Sequence, residues 1–255
     1  MIRLIACDLD GTLLDDRGAL PEGTFDRIRR LREKGVYFAA ASGRQYGNLR
    51  RLFYPVRDEI AYLAENGALV AAGPHRESFP IPRETAEGII RDILSSGMEL
   101  LISMPETCLL LASGGRAYRE DIIYRLRNTV TVIEDPFPFA DGCIKLSGFH
   151  PEGVAALAPP LQEKWGQTLH VDIAGRDWLD FTLANKGTGV MTLGRLLHIP
   201  LADMAAFGDQ QNDVSMLEKA GHPYLMDTAT EELKQKRFAL CRDVSETLDQ
   251  ILASL

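Results

Sequence analysis

An alternation of strands and helices that is interrupted and then resumed constrains this chain more than any other feature. Over residues 1–80, short apolar runs alternate with amphipathic helical stretches, the pattern of a parallel sheet covered by helices. Residues 2–7 read as a buried strand. Residues 21–34 read as a helix with Phe25, Ile28 and Leu31 on one face, ended by Gly35. Strands at 36–41 and 60–64 flank a helix at 45–53, and the turn Glu65-Asn66-Gly67 leads into a small hairpin through Leu69 and Val70. After Pro80 and Pro82, the apolar runs 100–104 and 108–112 are separated by only a few turn residues, which points to antiparallel pairing. Helices are expected there at 84–95, 118–126 and 151–165, and further strands at 129–133, 143–147, 167–171 and 178–182. From Lys186 the first rhythm returns, with a helix to 198, a strand at 204–207, a helix at 212–220 and a short strand at 224–226. The expected fold is α/β: a Rossmann-like parallel-sheet core built from 1–81 and 186–255, split by an inserted α+β domain over 82–185. The chain carries no internal repeat and no low-complexity tract.

Of the 255 residues, 45% are hydrophobic and 25% charged, which is enough apolar chain to enclose a site. A formal net charge of -8 argues against a nucleic-acid partner, which would call for a basic face. If phosphate binds here, a cation must help locally. Acids enter the amino-terminal stretch by position 8, unlike a signal peptide, and no apolar run approaches the ~20 residues of a membrane span. Cys7, Cys108, Cys143 and Cys241 show no CxxC spacing, as expected of free thiols in a reducing compartment. A cytoplasmic monomer or homodimer is the expectation. His75, His150, His170, His198 and His222 lack metal-ligand spacing, so zinc has little support.

Four polar segments stand where expected strands run out, and in open α/β sheets ligands bind at those carboxyl ends. Asp8-Leu9-Asp10-Gly11-Thr12 follows the first strand, and Gly11 permits the bend that would let both acids address one site. An aspartate can attack phosphorus to give an aspartyl-phosphate while a second acid protonates the leaving oxygen and later activates water; Asp8 and Asp10 suit those roles. Ser42-Gly43-Arg44 follows the second strand. There a hydroxyl and unpaired amides would meet phosphate oxygens, or Ser42 is a plain helix N-cap. Lys186, in Asn185-Lys186-Gly187-Thr188, opens the helix after the insert; taken alone, such a lysine is usually solvated surface. Gly208-Asp209-Gln210-Gln211-Asn212-Asp213 either brings carboxylates beside Asp8, where magnesium would find hard oxygen ligands, or forms an Asx-rich turn capping the next helix. Both hold if different residues of the turn do each.

In this order the four segments resemble the haloacid dehalogenase superfamily, particularly its phosphatases with the motif DxDGT. The insert, the Glu65-Asn66-Gly67 turn, and GDxxND followed by Val214-Ser215-Met216-Leu217 resemble the Cof-type subfamily, whose α/β cap is inserted after the second motif. The resemblance spans essentially the whole chain. It implies that Asp8 is the nucleophile and a magnesium ligand, that Asp10 is the acid/base whose backbone carbonyl also meets the metal, and that Asp209 is the third ligand. Asp213 would serve the metal directly or through water, or orient Lys186 together with Asn212. Ser42 would hold the phosphoryl group, Lys186 would offset its charge, and Gly11, Thr12, Gly43, Arg44 and Asn212 would line the phosphate or substrate. The chain departs from many relatives at Asp180-Phe181, where they carry glutamate and isoleucine. The implied activity is magnesium-dependent hydrolysis of a small phosphorylated metabolite, a sugar phosphate or similar phosphomonoester. Asp10 argues against a dehalogenase. A phosphomutase would use the same nucleophile, and a non-catalytic phospho-acceptor would gather similar groups on a much shorter chain without the insert.

Overall fold

The computed structural model describes residues 1–125 and 127–255. The chain begins with β1 (Leu4–Asp8), α1 (Thr24–Glu33), β2 (Tyr37–Ala41), α2 (Tyr46–Leu52), β3 (Ala61–Ala64), β4 (Leu69–Ala72) and β5 (His75–Ser78). It continues with α3 (Arg83–Ser95), β6 (Glu99–Ser103), β7 (Cys108–Leu111), α4 (Arg116–Glu120), β8 (Val130–Ile133), β9 (Lys145–Phe149), α5 (Ala158–Trp165), β10 (His170–Ala174) and β11 (Trp178–Thr182). Last come α6 (Lys186–Leu197), β12 (Met204–Gly208), α7 (Val214–Leu217), β13 (His222–Met226), α8 (Glu231–Lys234), β14 (Ala239–Cys241) and α9 (Val244–Ser254). Two compact units divide these elements. One takes Met1–Gly43, Leu49–Glu77 and Asn185–Leu255; the other takes Arg44–Asn48 and Ser78–Ala184.

In the first unit one sheet runs in the order β14-β13-β12-β1-β2-β3-β4-β5. All five residues of β1 are buried, as a central parallel strand with both faces covered requires. It pairs parallel with β2 on one side and β12 on the other, so the strand order reverses at β1. β4 returns antiparallel to β3, the expected hairpin. Helix α1 packs on β2 and against α9, while α6 packs on β3 and β4 and against α7. Burying Ile28 and Leu31 of α1 stabilises the unit by ~1.5–3 kcal/mol each. The sequence reading assigns no element beyond residue 226, where the structure adds α8, β14 and α9. Helix α9 does carry a legible signature: Asp243 caps it by accepting the Glu246 amide at 3.1 Å, and Val244, Leu248, Ile251 and Leu252 are buried at helical spacing. Strand β14 lacks one, since two of its three residues are exposed.

The second unit begins at Ser78 rather than at residue 82, and it also takes in Arg44–Asn48. Gln45 accepts the Thr129 amide at 2.8 Å and donates to the Thr129 carbonyl at 3.1 Å, and Asn48 donates to Asn128 at 2.7 Å. Its sheet runs β10-β11-β9-β6-β7-β8. Pairing is antiparallel as expected, except that β7 and β8 are parallel. The chain between those two strands passes through α4, and a parallel pair needs such a crossover. The helix expected over 118–126 begins earlier and stops at Glu120; a wider turn follows over Asp121–Arg125, and Leu126 lies outside the described residues. The helix expected over 151–165 is shortened to α5, because Pro159 and Pro160 are tolerated only in a first turn. The strand expected at 167–171 is displaced to β10, since Thr168 and Leu169 both donate their amides to the Trp165 carbonyl in a turn. Along β11, Leu179 and Phe181 join an apolar cluster with Ile89, Ile90 and Ile93 of α3, while Trp178 joins Tyr118 and Phe149 on the opposite face. Among the described residues no helix is long and apolar enough to cross a membrane.

Gly67, just beyond β3, adopts φ 91, and a Cβ there would lie 2.4 Å from the Asn185 carbonyl oxygen at the start of α6. Gly67→Ala should therefore lower stability by more than ~1 kcal/mol. Urea denaturation reads this directly, and an unchanged midpoint would contradict the packing described.

Candidate active site

Asp8 is the last residue of β1 and is only 6% exposed. The chain leaves it in a turn over Leu9–Leu13, closed by the Leu14 amide donating to the Leu9 carbonyl at 2.8 Å. Gly11 adopts φ 90, and a Cβ there would lie 2.3 Å from Oδ2 of Asp209, so backbone and neighbour both demand glycine. Thr12 donates its hydroxyl to Asp209 Oδ1 at 2.9 Å. This residue, grouped by sequence with the phosphate contacts, thus gives its one hydroxyl proton to Asp209. The Asp10 side chain is exposed.

Lys186 is the first residue of α6, whose start is capped by Asn185 accepting the Thr188 amide at 2.9 Å. Far from being solvated, Lys186 is 1% exposed, and its Nζ donates to Asp8 Oδ1 and to Asp213 Oδ1, both at 2.5 Å. Asp213 is wholly buried, and its Oδ2 accepts the backbone amides of Asp209 and Gln210 at 3.0 Å each. One carboxylate thus folds the loop after β12 and holds the ammonium. Burial pushes the Asp8 carboxyl up to about 8; Lys186 opposes the shift, and Asp213 and Asp209 add to it. Burial also raises Asp209, against the Thr12 hydrogen bond. For Lys186, burial favours the neutral amine, but Asp213 and Asp8 outweigh it and hold the ammonium above the ordinary lysine range.

Asp8, Asp209 and Asp213 each present a carboxylate oxygen within 4.8 Å of the others, a group that could hold a metal ion. With all three carboxyls ionised, one ammonium leaves the cluster negative, and all its donors are the hard oxygens that divalent cations such as magnesium prefer. Asp10, expected beside them, lies outside this side-chain cluster.

Ser42 is 2% exposed, with its amide donating to the Leu63 carbonyl at 2.8 Å and its carbonyl accepting the Asn66 amide at 3.0 Å. It does not cap α2, which begins only at Tyr46. Gly43 follows beside the Asn66 carboxamide, whereas the half-buried Arg44 groups with the second unit. Asn212 is exposed and donates to Asn66 Oδ1 at 3.4 Å. The sequence reading treats Asn66 only as part of a turn, because an Asn-Gly pair after a strand is explained by a turn alone.

A sequence profile of the haloacid dehalogenase-like hydrolases matches residues 5–247. The chain belongs to that family, and within it to the Cof type that the motif spacing resembles. It is 28% identical over 246 residues to the 5-amino-6-(5-phospho-D-ribitylamino)uracil phosphatase YbjI of Escherichia coli (strain K12), covering 89% of this chain and 86% of that protein. It is 26% identical over 245 residues to the HMP-PP phosphatase of Cronobacter sakazakii, covering 91% and 87%. A solved haloacid dehalogenase-like hydrolase from Bacteroides thetaiotaomicron shares the fold with a TM-score of 0.83 at 19% identity, covering 98% of this chain and 100% of that one.

The raised Asp8 carboxyl predicts how stability depends on pH without metal. Between its ordinary 3.8 and about 8 the folded protein keeps a proton that the unfolded chain releases, so stability falls as pH rises through that window. The Lys186 contribution lies above this range, because its loss begins only near the ordinary lysine value of 10.5. Melting temperatures of the metal-free protein should decline from pH 5 to pH 8. Asp8→Asn should flatten that decline, and an equally steep fall in the variant would contradict the assignment.

Proposed function

We propose that the protein is a magnesium-dependent phosphatase that works through an aspartyl-phosphate on Asp8. The observation that carries this reading is the buried Lys186 ammonium between Asp8 and Asp213, with Asp209 in the same carboxylate cluster. In the first step an Asp8 carboxylate oxygen attacks phosphorus, the bond to the leaving oxygen breaks, and Asp10 supplies the proton that oxygen needs. In the second step water attacks the same phosphorus, Asp10 takes the proton from water, and the Asp8 carboxylate is restored as phosphate leaves. Asp10 is exposed and stands outside the carboxylate cluster, which suits a group that exchanges protons.

Magnesium held by Asp8, Asp209 and the Asp10 carbonyl would supply positive charge to the phosphoryl oxygens when bound. Asp213 has both oxygens engaged, so its part is to hold Lys186 and the loop that carries Asp209. Ser42, Gly43 and Asn212 meet the phosphoryl oxygens, and Arg44 meets the substrate. In this reading the second unit is the cap that selects the substrate.

The named substrates of the two curated relatives are small phosphorylated molecules, which supports a small phosphomonoester here. Membership among hydrolases supports water, rather than the sugar hydroxyl of a phosphomutase, as the final acceptor. All four cysteines are free and buried, which supports a reducing cytoplasmic setting.

Phosphate release from a panel of phosphorylated metabolites, with magnesium and with EDTA, tests the reading. Release should require the metal, and Asp10→Asn should cut kcat by ~10²-fold or more. A folded Asp8→Asn protein that keeps near wild-type activity would end the proposal.

A further inference from the structure

The turn after β3 touches three of the four polar segments. The Asn66 amide donates to the Ser42 carbonyl at 3.0 Å, and its Oδ1 accepts Asn212 Nδ2 at 3.4 Å. A Cβ on Gly43 would lie 3.2 Å from Asn66 Oδ1 and 3.3 Å from Nδ2, so the Asn66 carboxamide rests against the bare backbone of the phosphate-binding segment. Next along the chain, Gly67 presses on the Asn185 carbonyl, one residue before Lys186. Glu65, Asn66 and Gly67 carry φ values of 50, 56 and 91, three left-handed residues in succession. Asparagine tolerates that backbone region better than most side chains, which alone would account for an asparagine in the turn. It does not account for where the carboxamide goes: between Gly43 and Asn212, two residues that the proposed function places at the phosphoryl group.

We infer that Asn66 is a positioning residue for phosphoryl transfer, its carboxamide holding the Ser42-Gly43 segment and Asn212 in one arrangement. This rests on the phosphatase reading above. Asn66 acts through its neighbours, so its loss weakens the alignment reached in the transition state more than it weakens ground-state binding.

The test is Asn66→Gly, which keeps the left-handed backbone open and removes only the carboxamide. Rates are measured as magnesium-dependent phosphate release from p-nitrophenyl phosphate, alongside melting temperature. The variant should melt within a few degrees of wild type, lose about tenfold in kcat, and keep KM within about threefold. Asn212→Ala should give a comparable or larger loss, and the double variant should lose less than the product of the two single losses, because part of the Asn66 effect passes through Asn212. Should Asn66→Gly fail to fold, Gly43→Ala puts the same question, since its methyl group would push the carboxamide aside and lower kcat with KM little changed.

Three results overturn the inference: an Asn66→Gly variant with wild-type kcat, losses that multiply in the double variant, or, in the fallback, a Gly43→Ala variant with wild-type kcat. Wild-type protein that releases no phosphate from either the ester or the metabolite panel would instead remove the phosphatase reading itself. Release by wild type with a silent Asn66→Gly leaves that reading standing and sinks only this one.

Discussion

The first unit is organised around a buried ammonium. Lys186 sits at the start of α6, where the helix dipole disfavours a positive charge, and it is almost wholly removed from water. Both costs are offset only because Asp8 and Asp213 converge on its Nζ from the ends of β1 and the loop after β12. A buried ion pair is a poor source of stability, since taking the charges out of water costs about as much as their attraction returns. It does fix position. Removing Lys186 would leave two buried carboxyl groups facing each other with no counter-charge, so the ammonium ties α6, β1 and the β12 loop into a single arrangement.

Around that contact several polar residues act on each other before any ligand arrives. Asp213 spends one oxygen on Lys186 and the other on two backbone amides. Thr12 spends its hydroxyl on Asp209, and Gly11 leaves the space that Asp209 fills. The consequence is a division of labour among chemically similar residues. Asp8, Asp209 and Asp213 all belong to the group that could hold a metal, while Asp213 also clamps Lys186 and the Asp209 amide and Thr12 donates to Asp209. Preorganisation of this kind suits reactions in which charge develops at one point, because the supporting dipoles need not reorient during the step.

Much of the fold was legible because parallel strands buried on both faces write themselves as unbroken apolar runs, as in Leu4-Ile5-Ala6-Cys7. The return of that rhythm at Lys186 is the sequence signal that the first unit is built from two separated stretches of chain. Less legible were features that depend on partners. The parallel pairing of β7 with β8 follows from the path of the chain through α4, not from the strands' own residues. The three-residue β14 has too little apolar character to announce itself, and Arg44–Asn48 joins the second unit through hydrogen bonds to residues far along the chain.

The site divides along the same line. Sequence alone determined which residue types stand at the ends of which strands, because strand order in a βα rhythm and the glycines that follow it are local matters: Asp8, Ser42 and Asp209 each come directly after a short apolar run. It left Ser42 open between helix cap and phosphate contact, and Lys186 open between surface and site. Only the tertiary structure decided that Lys186 is buried, that the Thr12 hydroxyl donates to Asp209, that Asp213 contacts both Lys186 and the Asp209 and Gln210 amides, and that the Asn66 carboxamide reaches Asn212. Each of these depends on distances between segments separated by many residues in the chain, and burial and hydrogen-bond satisfaction are properties of the packed molecule, with no local pattern to reveal them.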